Sequence, residues 1–399
     1  MAKELSRCLT AIQPSVTLAI DAKAKEMRAS GIDIIGLGAG EPDFDTPAHV
    51  VAAAIKAMQE GKTRYTPAAG TLELRQAICR KLKRDNGLTY EPTDIVVSNG
   101  AKHSLFNALH AVCNPGDEVL LPAPYWVSYY ELIKMAGATP VLGTATEENG
   151  YLVTAQQLRD AITDKTKALI LNSPCNPTGA VYPDGRLMEI AALAVEKDIY
   201  VISDEIYECL VYDGAVHTSI ASFGPEIKDL TVVVNGLSKA YAMTGWRIGY
   251  TASNRRIATA MANFQSHATS NANSIAQAAS IAALDGDKNE QRSMISEFSR
   301  RRQYMMARIS AINGINAVNP RGAFYIFANI SGLFGKSCDG HIINSAMDFS
   351  SLLLEKANVA VVPGEAFGDA HCIRLAYATD MQSIIKAMDR IEGFVNSLT

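Results

Sequence analysis

"VVNGLSKAYAMTGWRIGY", residues 233–250, decides how the rest of this chain is read. An apolar, β-branched run ends in a lone amine, Lys239, and a fixed cation, Arg247, follows eight residues later. Three glycines and Trp246 lie between and around them. A lysine partly withdrawn from water loses proton affinity and becomes nucleophilic enough to form a Schiff base with an aldehyde. An arginine placed between a bulky ring and a strand suits bidentate binding of phosphate or carboxylate.

Outward from this stretch, short apolar runs alternate with helical patterns. "DIVVS" precedes a helix from Ala101, "DEVLLP" precedes "YWVSYYELIKMAG", and "KALILNS" precedes "GRLMEIAALAVEK"; "IYVIS", "LTVVVN" and "IGYTAS" follow. Strands that are continuously apolar and alternate with helices predict an α/β fold, a mostly parallel sheet covered on both faces. Thr46 before Pro47 predicts a helix N-cap, and Asn86-Gly87 a helix stop. Beyond about residue 290 a charged helix and shorter strands predict a smaller second domain. The expected division is an N-terminal segment over 1–45 that joins the small domain, a large domain over 46–290 and a small one over 291–399.

Composition narrows the function. A net charge of −4 with 48% hydrophobic residues describes a globular chain with no basic excess for nucleic acid. No apolar stretch is long enough to cross a bilayer, and the first fifteen residues lack the apolar core of a secretory signal. Seven scattered cysteines, never in a C-x-x-C pair, predict reduced thiols in a cytoplasmic enzyme, with no metal site.

In open parallel sheets ligands gather beyond the carboxyl ends of the strands, so polar residues just after each strand are the candidates. Gly100, Ala101 and Lys102 open a helix whose free N–H groups can hold an anion. Asn176 sits in the stiff loop "SPCNPTG". Asp204 ends a buried strand and asks for a cation, with Tyr207 three residues on. Taken singly, each has a plain structural alternative: a βα turn for Gly100, a helix cap for Asp204, a solvated surface charge for Lys239. Together they ask for one ligand bearing a phosphate, a protonatable ring nitrogen and an aldehyde, which pyridoxal phosphate supplies.

"SDEIY", "NGLSKAYAMTGWRIGY", "SPCNPTG" and "GEPDFDTP", in this order and at these separations, resemble the fold-type I, class I pyridoxal-phosphate aminotransferases. The resemblance covers essentially the whole chain and is strongest to the bacterial and plant-type aspartate and prephenate branch. It implies a large domain with a seven-stranded, mostly parallel sheet and a smaller α/β domain. Lys239 would form the Schiff base and move the α-proton, Asp204 would pair with the pyridinium nitrogen, and Tyr207 and Asn176 would bond the ring hydroxyl oxygen. Trp126 would stack on the ring. Gly100, Ala101, Lys102 and Arg247 would hold the phosphate, joined by Tyr65 of a neighbouring subunit, so a homodimer is implied. Arg374 would clamp the substrate carboxylate with Asn176 and the backbone at Gly40, although by itself it reads as an edge-strand arginine. Lys102, Ser15 and Thr17 would hold an acidic side chain. Thr17 by itself is equally a helix cap. Where some relatives carry a phosphate-binding serine three residues before the lysine, this chain has Gly236, and Ser238 is a weaker substitute.

The implied activity is aspartate transamination by a ping-pong cycle, with 2-oxoglutarate as partner, prephenate as a further acceptor and a segment that closes over substrate. An aromatic-acid aminotransferase and a pyridoxal-phosphate lyase of the same fold are the alternatives. A transcription regulator would need an added DNA-binding domain. A nicotinamide dehydrogenase would need a glycine where "GLGAGE" has Glu41.

Overall fold

The structure, a computed structural model, describes residues 3–6, 10, 12–14 and 16–399. Strand β1 (Ile35–Gly36) precedes a run of seven: β2 (Ile95–Ser98), β3 (Glu118–Ala123), β4 (Thr139–Thr144), β5 (Thr166–Asn172), β6 (Tyr200–Asp204), β7 (Thr231–Gly236) and β8 (Gly249–Ala252). These seven form one sheet in the order β2-β8-β7-β6-β5-β3-β4. Every pairing is parallel except those of β8, which runs against both β7 and β2. The exception has a local cause. Residues 237–248 return the chain through turns with no crossover helix, so β8 enters the sheet from the edge at which β7 leaves it.

Both faces are covered, which is why the strands read as unbroken apolar runs. Val96, Val119, Ile170, Ile202 and Val234 pack with the helices Ala101–Val112, Ser128–Met135 and Arg255–Ala268. Val97 and Val233 pack on the opposite face against Leu72–Asn86 and Ser274–Asp285, and Leu169 and Val201 against Asp184–Lys197. Asp204 therefore projects to the Ser128–Met135 face, whereas Ser203 and Glu205 project to the other.

The remaining strands are β9 (Asn316–Ala317), β10 (Tyr325–Asn329), the hairpin β11 (Ser337–Cys338) and β12 (His341–Ile342), β13 (Val359–Ala360), β14 (Val362–Pro363) and β15 (Cys372–Ala376). An antiparallel sheet in the order β14-β15-β10-β9 packs beside the helices Asn289–Ala311, Ala346–Ala357 and Met381–Asn396 around Phe298, Phe324, Phe349 and Tyr377. The N-terminal segment is stitched to this region through β1, which pairs in parallel with β13.

Two local expectations change. Thr46 is not a cap: the helix Ala48–Gln59 starts after Pro47 with no side-chain cap, and the Thr46 hydroxyl donates to the Ala242 carbonyl at 2.8 Å. Arg374 is not on an edge, because β15 pairs with β14 on one side and β10 on the other. Gly87 does end its helix, in the left-handed region at φ 68°.

One close approach sets the position of the site. A Cβ at Gly249 would sit 2.7 Å from the Ala101 Cα, so only glycine lets β8 lie against the start of the Ala101–Val112 helix. Gly249→Ala is expected to cost about 1–3 kcal/mol of stability, as forced overpacking does, read as a lower urea midpoint at unchanged slope.

Candidate active site

The carboxyl ends of β2, β3, β5, β6 and β7 point toward a cleft of about 680 Å³. Its walls include Lys102, Trp126, Asn176, Asp204, Lys239 and Arg374, with the helix Val16–Ala29 closing one side through Thr17. Because β8 runs antiparallel, its starting end lies at the same edge, and this brings Arg247 to the cleft.

Asp204 is the most constrained group. It is 3% exposed and accepts the Tyr129 hydroxyl at 2.6 Å and the Ile206 N–H at 3.2 Å. No lysine, arginine or histidine lies within ion-pair distance of it among the described residues. Burial raises its carboxyl to about 6 despite those two hydrogen bonds. On the opposite wall Arg374, also 3% exposed, has no carboxylate partner among the described residues. It donates to Asn176 Oδ1 at 3.0 Å and to the Gly38 carbonyl at 2.8 Å, while its buried Nε finds no acceptor. Aromatic faces carry the guanidinium, with Tyr325 at 4.3 Å and Phe367 at 4.9 Å. The cleft thus keeps one anion and one cation buried and unpaired.

Lys239 lies between them. Burial depresses its amine from 10.5 to about 8, and the nearby Glu41 works the other way. Its Nζ donates to the Gly40 carbonyl at 2.5 Å. At neutral pH a useful fraction of such an amine is unprotonated, which nucleophilic attack requires.

The anion cradle is built from backbone and one cation. Gly100, at φ 85°, opens the helix Ala101–Val112, whose first N–H groups have no intrahelical acceptor. A side chain at Gly100 would collide with the Arg247 guanidinium, which closes over this helix start. Arg247 itself has a left-handed backbone, φ 54°, a conformation that a non-glycine residue adopts at a cost. Its Nη1 donates to Thr244 O at 3.0 Å and its Nη2 to Asn99 O at 3.4 Å, which holds the guanidinium at the cleft edge. Gly236 cannot be a serine in this geometry, since a Cβ would stand 2.9 Å from the Ile248 carbonyl. Ser238 does line the cleft.

The Lys102 ammonium stands over the Trp126 ring at 4.9 Å, and burial together with the Arg247 charge lowers its proton affinity. Tyr207 is buried, and its hydroxyl meets that of Tyr325 at 3.0 Å. Tyr65 lies outside the cleft walls and is 91% exposed. Ser15 falls outside the described residues.

Three contributors are not evident in the sequence alone. Tyr129 and Tyr325 act on Asp204 and Tyr207 from far along the chain, and Asn172 ties Asn176 N to the Asp204 carbonyl. Only Asn172 had a usable signal, the polar end of "KALILN".

A family model described as aminotransferase class I and II matches residues 32–391. Among curated proteins, an aspartate aminotransferase of Bacillus sp. (strain YM-2) is 49% identical over 99% of this chain and 100% of its own. An aspartate/prephenate aminotransferase of Cereibacter sphaeroides is 45% identical over 99% of each chain. Among solved structures, the aspartate aminotransferase from Rhizobium meliloti superposes with a TM-score of 0.97 at 42% identity over the full length of both chains. That from Thermus thermophilus with maleate gives 0.92 at 42%, over 98% of this chain and 100% of its own.

The Asp204 geometry makes a prediction for the ligand-free protein. A carboxyl whose folded pKa is raised holds its proton more tightly folded than unfolded, so stability is lost as pH rises from about 4 to 6. Asp204→Asn removes that loss. It is expected to be more stable than the parent by about 3 kcal/mol at pH 7 and by nothing measurable near pH 4, in urea titrations at the two values.

Proposed function

The chain belongs to the class I and II aminotransferases, and from that premise we propose that it is a pyridoxal-phosphate-dependent aspartate aminotransferase. It would pass amino groups between L-aspartate and 2-oxoglutarate, with prephenate as a further acceptor. The observation that carries the reading is the opposed pair of buried, unpaired charges, Asp204 and Arg374, with the depressed amine of Lys239 between them.

The residues present fit the cofactor. Asp204 lacks only a cation, which a protonated ring nitrogen provides; Lys239 offers the amine for its aldehyde. The turn Gly100–Lys102 and Arg247 would hold its phosphate, and Trp126 one ring face. Tyr207 and Asn176 would bond its hydroxyl oxygen. When bound, the group supplies an electron sink for the pair released when the substrate Cα–H bond breaks.

The protein's own residues do the rest. Arg374, stiffened by two aromatic faces and Asn176, binds the α-carboxylate, helped by the backbone at Gly40. The Lys239 amine would take the substrate's α-proton and hold it for return, a general base and then an acid with a pKa near working pH. Asp204 would stay ionised opposite a protonated ring nitrogen. Lys102, with Ser15 and Thr17, favours a second carboxylate on the substrate, which supports aspartate over apolar donors. The segment around Gly38 and Gly40 is tied to Arg374 and Lys239 themselves, so ligand binding exchanges those ties as the segment closes over the cleft.

Tyr65, exposed on a monomer, is read as reaching the phosphate of a neighbouring copy, which makes a homodimer the working unit. No helix among the described residues is long and apolar enough to cross a membrane, and none of the six described cysteines is in a disulfide. Both features suit work in the cytoplasm.

The test is a visible spectrum of the reconstituted protein before and after L-aspartate. The band of the lysine-linked cofactor should collapse on addition and return with 2-oxoglutarate. A band indifferent to aspartate would sink the substrate assignment, and the absence of any band would sink that of Lys239. Lys102→Met should lower kcat/KM for aspartate about 10- to 100-fold, the worth of one charged hydrogen bond, while an aromatic donor changes by only a few fold.

A further inference from the structure

Behind the sheet, on the face away from the cleft, lies a buried charge cluster that the proposed reaction does not use. Glu205 follows Asp204 directly and points the other way, its side chain 1% exposed. One carboxylate oxygen accepts Ser203 Oγ at 2.9 Å and Ser219 Oγ at 2.6 Å; the other faces His217 Nε2 at 3.2 Å. The His217 side chain is 5% exposed. Beside them Glu208 is ion-paired with Lys81, a buried lysine that also donates to Asn86 Oδ1 at 2.8 Å. Asn86 in turn donates to Glu208 at 2.9 Å. One ligand-type atom from each of Glu205, Glu208 and His217 lies within 4.8 Å of the others.

The charges do not balance without His217. One lysine stands against two carboxylates, and a buried net charge is costly. Of the other groups nearby, the Tyr90, Tyr241 and Tyr250 phenols and the Cys209 thiol are held neutral by burial, while Asp85, ion-paired with Arg84, and Lys288 act on Cys209 with opposite signs. We propose that His217 is a positioning residue that carries the fourth charge of this cluster, keeping the back of the β6 end neutral so that Asp204 meets the cofactor ring without a second, uncompensated carboxylate behind it.

Three observations support it. Burial works against a charged imidazole here, yet the hydrogen bond and charge of Glu205, with Glu208, more than offset it and raise His217 above its ordinary value. Glu208 already has Lys81 as its ion-pair partner, so His217 is the hydrogen-bonded cation candidate for Glu205. Coupling through the strand is present as well: the Glu205 charge is among the causes that raise the Asp204 carboxyl.

The inference rests on the cofactor reading above, and its test separates the two. In the reconstituted enzyme the visible band changes as the Lys239 nitrogen loses its proton. His217→Gln keeps a hydrogen bond to Glu205 but removes the charge. The leftover negative charge favours the protonated nitrogen, so the transition should move up by about half a pH unit. Glu205→Gln combined with His217→Gln removes both charges and should return it to the parent value. An unmoved transition in His217→Gln, or a shift that persists in the double variant, overturns the proposal; mere repacking would not be undone by the second substitution. Should the variants not fold, nitrogen-15 spectra of histidine-labelled parent enzyme decide it. One imidazole is expected to hold its proton to a pH above the ordinary histidine range, and seven that all titrate within or below that range overturn the proposal. A parent protein with no visible band removes the cofactor reading instead, and the imidazole spectrum still reports the His217 charge.

Discussion

Asp204 is held at the carboxyl end of β6 by one tyrosine hydroxyl and one amide, and neither neutralises its charge. A carboxylate in that position is costly to keep ionised, and the rise of its pKa to about 6 measures the cost. The rest of the cleft is arranged around this cost. Arg374 pays the mirror penalty on the opposite wall, and the lysine between them is kept short of proton affinity by the same burial. Such a site is poorly stable alone and well suited to a ligand that carries a cation at one end and an anion at the other.

The sheet separates two tasks. Its Ser128–Met135 face presents Asp204 and Tyr129 to the cleft; its reverse holds Glu205, Glu208, Lys81 and His217 in a closed polar cluster. Adjacent residues of one strand serve both because side chains alternate across a sheet. The reversal of β8 matters as much, since a parallel strand there would begin at the opposite edge and carry Arg247 away from the helix start that it covers.

Much of this was legible in the sequence, for definite reasons. Unbroken apolar runs between helical patterns forced a sheet buried on both faces, and the rule that ligands gather at strand ends singled out Gly100, Asn176, Asp204 and Lys239. What was not legible depends on distant pairing. Tyr129 reaches Asp204 across 75 residues and Tyr325 meets Tyr207 across 118, so no local pattern announces either. Arg374 read as an edge residue because its outer partner β14 is two residues long and ends in a proline. Thr46 had the residue type of a cap, but a hydroxyl acceptor site at Ala242, far along the chain, took it instead.

The role proposed for the Asp204 carboxylate is to pair with the cofactor's ring nitrogen. The direct measurement is the carbon-13 titration of that carboxyl, in aspartate-labelled protein assigned with Asp204→Asn, with and without pyridoxal phosphate. A transition near pH 6 is expected without the cofactor, and a carboxylate that stays ionised from about pH 5 upward with it. The same transition in both states would contradict that role.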